Sequence, residues 1–168
     1  ISRALGVGKG AIAGAVALKT LALAVAPLPM AALSERSTRR ALLCIVTAVL
    51  WSVFAMSTGF VVSIWGLVLV LVADGLSTGS VAALHPSLLL DSYPAEARVR
   101  ALAAYHGANS LGNVLAPLGV ALLAAWVGLT WRGVFVGLGA ASLVAAVASM
   151  RLRDPGYGRW DVDRIRAT

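Results

Sequence analysis

A chain of 168 residues that is 60% hydrophobic and 12% charged, with a mean hydropathy of +0.88, carries about half the charge of an ordinary soluble domain, where roughly 25% is usual. That composition excludes a water-soluble globule, and the formal charge of +7 does not indicate nucleic acid, because the basic residues sit in short turns and at the C-terminal end. The single cysteine, Cys44, lies in an apolar run, which excludes a disulfide framework and any Cys/His metal spacing and leaves a small packing or lipid-facing residue.

In chain order, residues 1–10 form a short approach bearing Arg3 and Lys9, with no signal peptide. The chain opens on Ile1 and not on Met, so a preceding segment is expected to be either cut away or simply not seen. The first span is Ala11–Leu33, with Lys19 as its one charge and with Pro27 and Pro29 expected to bend its second half. A charged knot follows, Ala31-Ala32-Leu33-Ser34-Glu35-Arg36-Ser37-Thr38-Arg39-Arg40. The uncharged run Ala41–Ala73 is too long for one crossing at about 20 residues each. It divides at Ser57-Thr58-Gly59, with Phe60 and Trp65 as interfacial anchors, into spans at residues 41–59 and 63–90. Asp91–Arg100 is the next polar turn, broken by Pro94. Further spans cover residues 101–127 and 131–150, and the tail 151–168 opens with the stop Asp154-Pro155-Gly156. Tyr157 and Trp160 in that tail suit the headgroup region, on a short amphipathic linker.

The fold class is therefore an all-α, polytopic transmembrane bundle of five spans. Ten arginines (Arg36, Arg39, Arg40, Arg98, Arg100, Arg151, Arg153, Arg159, Arg164 and Arg166) then fall on one side, and Arg3, Lys9 and Arg132 on the other. The positive-inside rule places the knot and the tail in the cytoplasm of a plasma (inner) membrane.

Ionisable groups within the apolar runs are costly and are functional candidates by default. Lys19 lies about 12 Å, and Asp74 about 16 Å, below the outer ends of their helices at 1.5 Å per residue. At that shared depth two readings stand. Either the two line a cavity, with Asp74 exchanging a proton or binding a cationic group, or the charges are structural, as a Lys19–Asp74 pair or with Lys19 snorkelling outward instead. Asp74, Ser77, Thr78 and His85 recur at helical spacing as a polar stripe, with His85 read as a packed, hydrogen-bonded residue ahead of a proton relay. His106, Asn109 and Asn113 share a face of the fourth span, as helix-to-helix hydrogen bonders or as solute contacts. Gly66, Gly75 and Gly79, and Gly107 and Gly112, would admit close helix approach.

The charged knot resembles the signature loop of the major facilitator superfamily, Gly-x-x-x-Asp-Arg-x-Gly-Arg-Lys/Arg, with Glu35, Arg36, Arg39 and Arg40 in the charged places and Ala31 and Thr38 at the two glycines. Pro86, Asp91, Pro94, Arg98, Arg100 and Ala101 follow in the order of that family's stretch around its fourth-to-fifth turn. Trp131, Arg132 and Phe135 follow its opening to the sixth helix. The resemblance implies helices two to six of the first half of a transporter, with the first helix and the second half missing. It further implies a conformational gate at Glu35, Arg36, Arg39, Arg40 and Asp91, in which Glu35 faces the opposite half and Arg39 pairs with Asp91.

The expected function is secondary transport of a small solute by alternating access between two halves. The implied partners are the solute, membrane lipids, protons through Asp74, and the missing helices; no cofactor and no nucleic acid are implied. A non-transporting membrane scaffold or receptor-like module stands as the alternative. No phosphate-binding Gly-x-x-x-x-Gly-Lys-Ser/Thr occurs, and no nucleophile–base pair or metal cluster argues for an enzyme.

Overall fold

A computed structural model describes residues 1–151, 153–156 and 160. Described residues form seven α-helices and no strand: α1 (Ser2–Leu5), α2 (Lys9–Val25), α3 (Pro27–Arg36), α4 (Arg40–Thr58), α5 (Ile64–Ser92), α6 (Ala95–Trp126) and α7 (Trp131–Ala148), then a 3₁₀ turn, Ser149–Arg151. Taken together, α2 and α3 form one stretch of 28 residues, and it joins α4, α5, α6 and α7 as five helices long and apolar enough to cross a membrane. The five-span, all-helical architecture expected from hydropathy is the one observed. Tyr157, Arg159, Arg164 and Arg166, which entered the reading of the tail, lie outside the described residues.

The ends of these helices follow from local chemistry. Pro27 opens α3 where its missing N–H leaves little unsatisfied, and Ala26 keeps helical angles (φ −56, ψ −36), so the first span is interrupted without being broken apart. Ser63 and Thr130 cap α5 and α7 by accepting from Gly66 N–H at 3.1 Å and Gly133 N–H at 3.4 Å. The fourth span starts earlier than the expected Ala101. Extended Pro94 (φ −65, ψ 157) opens α6 at Ala95 and leaves Glu96 in the first turn, where the helix dipole favours an acid.

Within the bilayer's apolar solvent, close backbone contact takes the place of a hydrophobic core. The seam between α2 and α5 is built on Gly75 and Gly79. A Cβ on Gly75 would strike the Lys19 carbonyl oxygen and lie 3.2 Å from Ala22 Cβ, and one on Gly79 would strike the Leu23 carbonyl oxygen and lie 2.8 Å from Ala26 Cβ. A second seam joins α4 to α7. There a Cβ on Gly59 would lie 2.7 Å from the Arg132 carbonyl oxygen, and one on Gly139 would lie 2.6 Å from the Met56 nitrogen. Arg132 Nη1 also donates to the Gly59 carbonyl at 2.9 Å. Between the seams α4 packs on α5, and Leu67 and Leu84 are fully buried.

α6 stands apart. It has no buried residue and touches α5 and α7 only lightly. Gly107 and Gly112, expected to admit a close neighbour, face open space, as does Gly119. The close-approach expectation therefore holds for Gly75 and Gly79, whereas Gly107 and Gly112 meet no neighbour among the described residues. For Gly66 it is corrected, since its space is filled by Ser63 and Val61 at its own helix start.

Candidate functional site

Among the described residues two ion pairs, one in mid-span and one at a helix end, mark places where charge is held inside the apolar bundle. In mid-span, Lys19 Nζ lies 2.5 Å from Asp74 Oδ2, with the aspartate side chain 5% exposed and the lysine 34%. The glycine seam makes this reach possible, because Gly75 brings the α5 backbone onto the Lys19 carbonyl. Each charge neutralises the other, and the ammonium keeps one open side, as a snorkelling lysine does.

Ser77 and Thr78, one turn further along, donate to the carbonyls of Ala73 (3.0 Å) and Asp74 (2.8 Å). Ser77 is buried. Such back-bonding spends the hydroxyl proton within the helix and leaves oxygen lone pairs outward.

Thr78 and His85 continue the stripe into a cavity of about 460 Å³ between α4, α5, α6 and α7. Trp51, Ala48, Val81, Ala145 and Ala146 give it an apolar wall; Cys44, Ser52, Asn109, Ser142 and Ser149 add small neutral polar groups. Among the described residues no carboxylate, ammonium or guanidinium lines it. His85 meets Tyr105 edge-on at 6.1 Å, and Tyr105 meets His106 at 5.3 Å. His106, Asn109 and Asn113 all lie on the exposed surface of α6. Of the three only Asn109 reaches the cavity wall.

The second charged cluster ties three helix ends on the loop side. Arg40, the first residue of α4, donates through Nε to the Ser34 carbonyl (3.1 Å). Its Nη1 donates to Ser87 Oγ (3.2 Å) and to Asp91 Oδ2 (2.5 Å). Both partners are buried, the Arg40 side chain at 7% exposure and that of Asp91 at 12%. The expected pairing of Arg39 with Asp91 is thus corrected. Arg39 is the residue ahead of the helix (φ −118, ψ 59), with its side chain exposed, and the next residue is the one turned inward. Glu35 and Arg36 are exposed at the end of α3 and make no ion pair among the described residues. Beside them, Arg98 Nε donates to the carbonyls of Leu90 (3.0 Å) and Tyr93 (3.2 Å), closing the C-terminal end of α5.

Sequence reasoning missed Asp154. Its Oδ2 accepts from Ala41 N–H at 3.1 Å, so the segment after α7 caps the start of α4 from 113 residues away. No spacing could reveal so distant a partner; the Asp-Pro-Gly run marked only a stop. It also missed the Arg132 bond to Gly59, although Trp131-Arg132 was singled out for another reason.

Comparison with known proteins fits this arrangement. The chain matches the profile described as Major Facilitator Superfamily over residues 1–166. Two solved structures resemble it, both titled as a bacterial homolog to human lysosomal transporter, Spinster, in an inward-facing conformation. The unoccupied form has a TM-score of 0.65 at 23% identity, covering 84% of this chain and 34% of that one. The occupied form has a TM-score of 0.63 at 21% identity, covering 92% and 40%. At those identities the likeness is one of fold, and this chain spans well under half the length of either. A comparison with curated proteins gives no match. With the profile running almost end to end over a five-span bundle, the chain belongs to the Major Facilitator Superfamily.

Proposed function

We propose that this chain forms part of a secondary transporter that carries a small solute across a plasma membrane by alternating access, with the knot and the tail cytoplasmic. The observation that carries the reading is the Lys19–Asp74 pair. Two opposite charges are held in mid-span at the expense of desolvation, which a passive scaffold has little reason to bear. Asp74 lies on the same α5 face as Thr78 and His85, at i, i+4 and i+11, so a change at the pair is felt one turn from the cavity.

Asp74 is the group we assign to proton exchange. While Lys19 holds it, the carboxylate is occupied; when the pair opens, it is free to take a proton or a cationic part of the solute. Ser77, Thr78, His106, Asn109 and Asn113 are the neutral hydrogen bonders of the pathway. Arg40 and Asp91 form a latch at the loop side, with Glu35, Arg36 and Arg39 exposed to meet the opposite half.

The open face of α6 and the cavity beside it we read as the place of further helices, the first helix and the second half of a complete transporter. Polar His106, Asn109 and Asn113 do not favour contact with lipid, and uncovered Gly107, Gly112 and Gly119 suit close helix packing.

The test is internal pH in proteoliposomes of the full-length protein under a panel of solute gradients. Solute-driven proton movement that Asp74→Asn abolishes is the expected result. Solute flux without proton movement would leave the carrier reading and remove the coupling role of Asp74. Absence of flux across a broad panel, with a folded protein, would favour the scaffold alternative.

A further inference from the structure

The Arg40–Asp91 cluster has a further participant that the latch reading, on which this inference rests, does not include. α4 has no cap of its own, because the Arg39 side chain makes no capping bond. Its first turn would then offer uncapped N–H groups at the positive end of a helix dipole. Asp154 supplies what is missing. One carboxylate oxygen accepts from Ala41 N–H at 3.1 Å and the other from Gly156 N–H at 3.1 Å. The second bond belongs to a tight turn in which Gly156 takes a left-handed φ of 85°, so the carboxylate is aimed and not merely nearby. Ala41 is buried and directly follows Arg40, the residue that grips Ser34, Ser87 and Asp91.

We propose that Asp154 is a positioning residue of the latch: by capping α4 it fixes the backbone from which Arg40 reaches Asp91, and so couples the segment after α7 to the ends of α3, α4 and α5. Among the described residues the loop-side clasp then joins three helices and the segment after α7 through two carboxylates, Asp91 on the Arg40 side chain and Asp154 on the Ala41 N–H. Release of the segment after α7 loosens the Arg40 grip even though Asp154 never touches the guanidinium in this arrangement.

Cys44 gives a direct readout. It is the chain's one cysteine, it is buried, and it lies one helical turn inward from Arg40 on α4. In the full-length protein in nanodiscs, with any cysteine outside this chain replaced, the rate of Cys44 alkylation by a water-soluble maleimide reports loosening of the clasp. Asp154→Ala is expected to raise that rate by roughly two- to thirty-fold over Asp154→Asn, which removes the same charge near the thiol but keeps a capping oxygen, the range that loss of a helix cap represents. Arg40→Gln raises it too, and the double variant labels no faster than Arg40→Gln alone, since both act through one contact. Thr130→Ala, which removes the cap of α7, stays within about two-fold of the parent.

A rate for Asp154→Ala within two-fold of Asp154→Asn overturns the proposal. So does a multiplicative effect on top of Arg40→Gln, or an equal rise in Thr130→Ala. If Asp154→Ala does not fold, Gly156→Val keeps the carboxylate but breaks the turn that aims it, and its failure to raise the rate overturns the proposal in the same way. An unchanged rate in Arg40→Gln overturns the latch itself, whereas a raised rate there with an unchanged Asp154→Ala removes only the positioning role.

Discussion

Gly79→Ala puts one methyl group into the α2–α5 seam, and the structure says what it meets. The new Cβ would strike the Leu23 carbonyl oxygen and lie 3.1 Å from the Leu23 carbonyl carbon and 2.8 Å from Ala26 Cβ. None of these atoms can rotate away, since two are backbone and the third is a Cβ. α2 must therefore withdraw from α5, and overpacking of this kind costs about 1–3 kcal/mol. The alanine regains about 1 kcal/mol of helix preference over glycine, leaving a net loss of roughly 1 kcal/mol and at most about 2. Gly14→Ala, in the same α2 and with nothing within 4 Å of its Cβ, gains the preference and meets no clash. Reversible unfolding in mixed micelles, followed by far-ultraviolet circular dichroism, gives both numbers. The two variants are expected to differ by about 1–3 kcal/mol, with Gly14→Ala the more stable. Equal stability, or the reverse order, would refute the claim that the seam is backbone contact through glycine.

The two ion pairs give asymmetric expectations in the same assay. Lys19→Met strands a buried carboxylate and is expected to cost about 3 kcal/mol, more than Asp74→Asn, which leaves a lysine still able to reach out; the double variant Lys19→Met/Asp74→Asn should recover part of the loss. Arg40→Gln is expected to cost about 3–5 kcal/mol, because its charge-assisted bonds to Asp91 and the Ser34 carbonyl are lost in a buried site, against within about 0.5 kcal/mol for exposed Arg39→Gln; equal costs would return the pairing to Arg39. Arg132→Leu removes a charged donor from the Gly59 carbonyl and should lower stability by about 1.5–3 kcal/mol, with a negligible loss indicating that water replaces it.

Hydropathy alone made the spans legible, because in a bilayer length and apolarity are the physical requirement, and turn residues such as Pro94 and Ser57-Thr58-Gly59 could divide the runs. The depth arithmetic brought Lys19 and Asp74 to one level, and the glycine spacing marked the seam that lets them meet. What stayed hidden depends on rotation about a helix axis. Arg39 and Arg40 are neighbours in the sequence, and which of them turns inward is decided where α4 begins. Likewise Gly75 and Gly107 look alike in sequence, yet one lies under the α2 backbone and the other faces open space. Asp154 was illegible for a third reason, since its partner is a backbone N–H that no residue type advertises.

The α2–α5 seam has a mechanical consequence. Gly75 and Gly79 receive the carbonyls of Lys19 and Leu23, so both the notches and the teeth are four residues apart, close to one turn of 5.4 Å. Two helices meshed this way do not glide. A displacement of half a turn drives Cβ atoms against backbone, and the next position that fits is a full turn away. At that next position Lys19 no longer faces Asp74, and two unpaired charges stand in an apolar medium. The glycines thus set the size of the only allowed step, and the ion pair selects one detent from the ladder. The two helices are held as a single rod, and any relative displacement within the bundle is taken up where no such teeth exist, around α6 and at the turns.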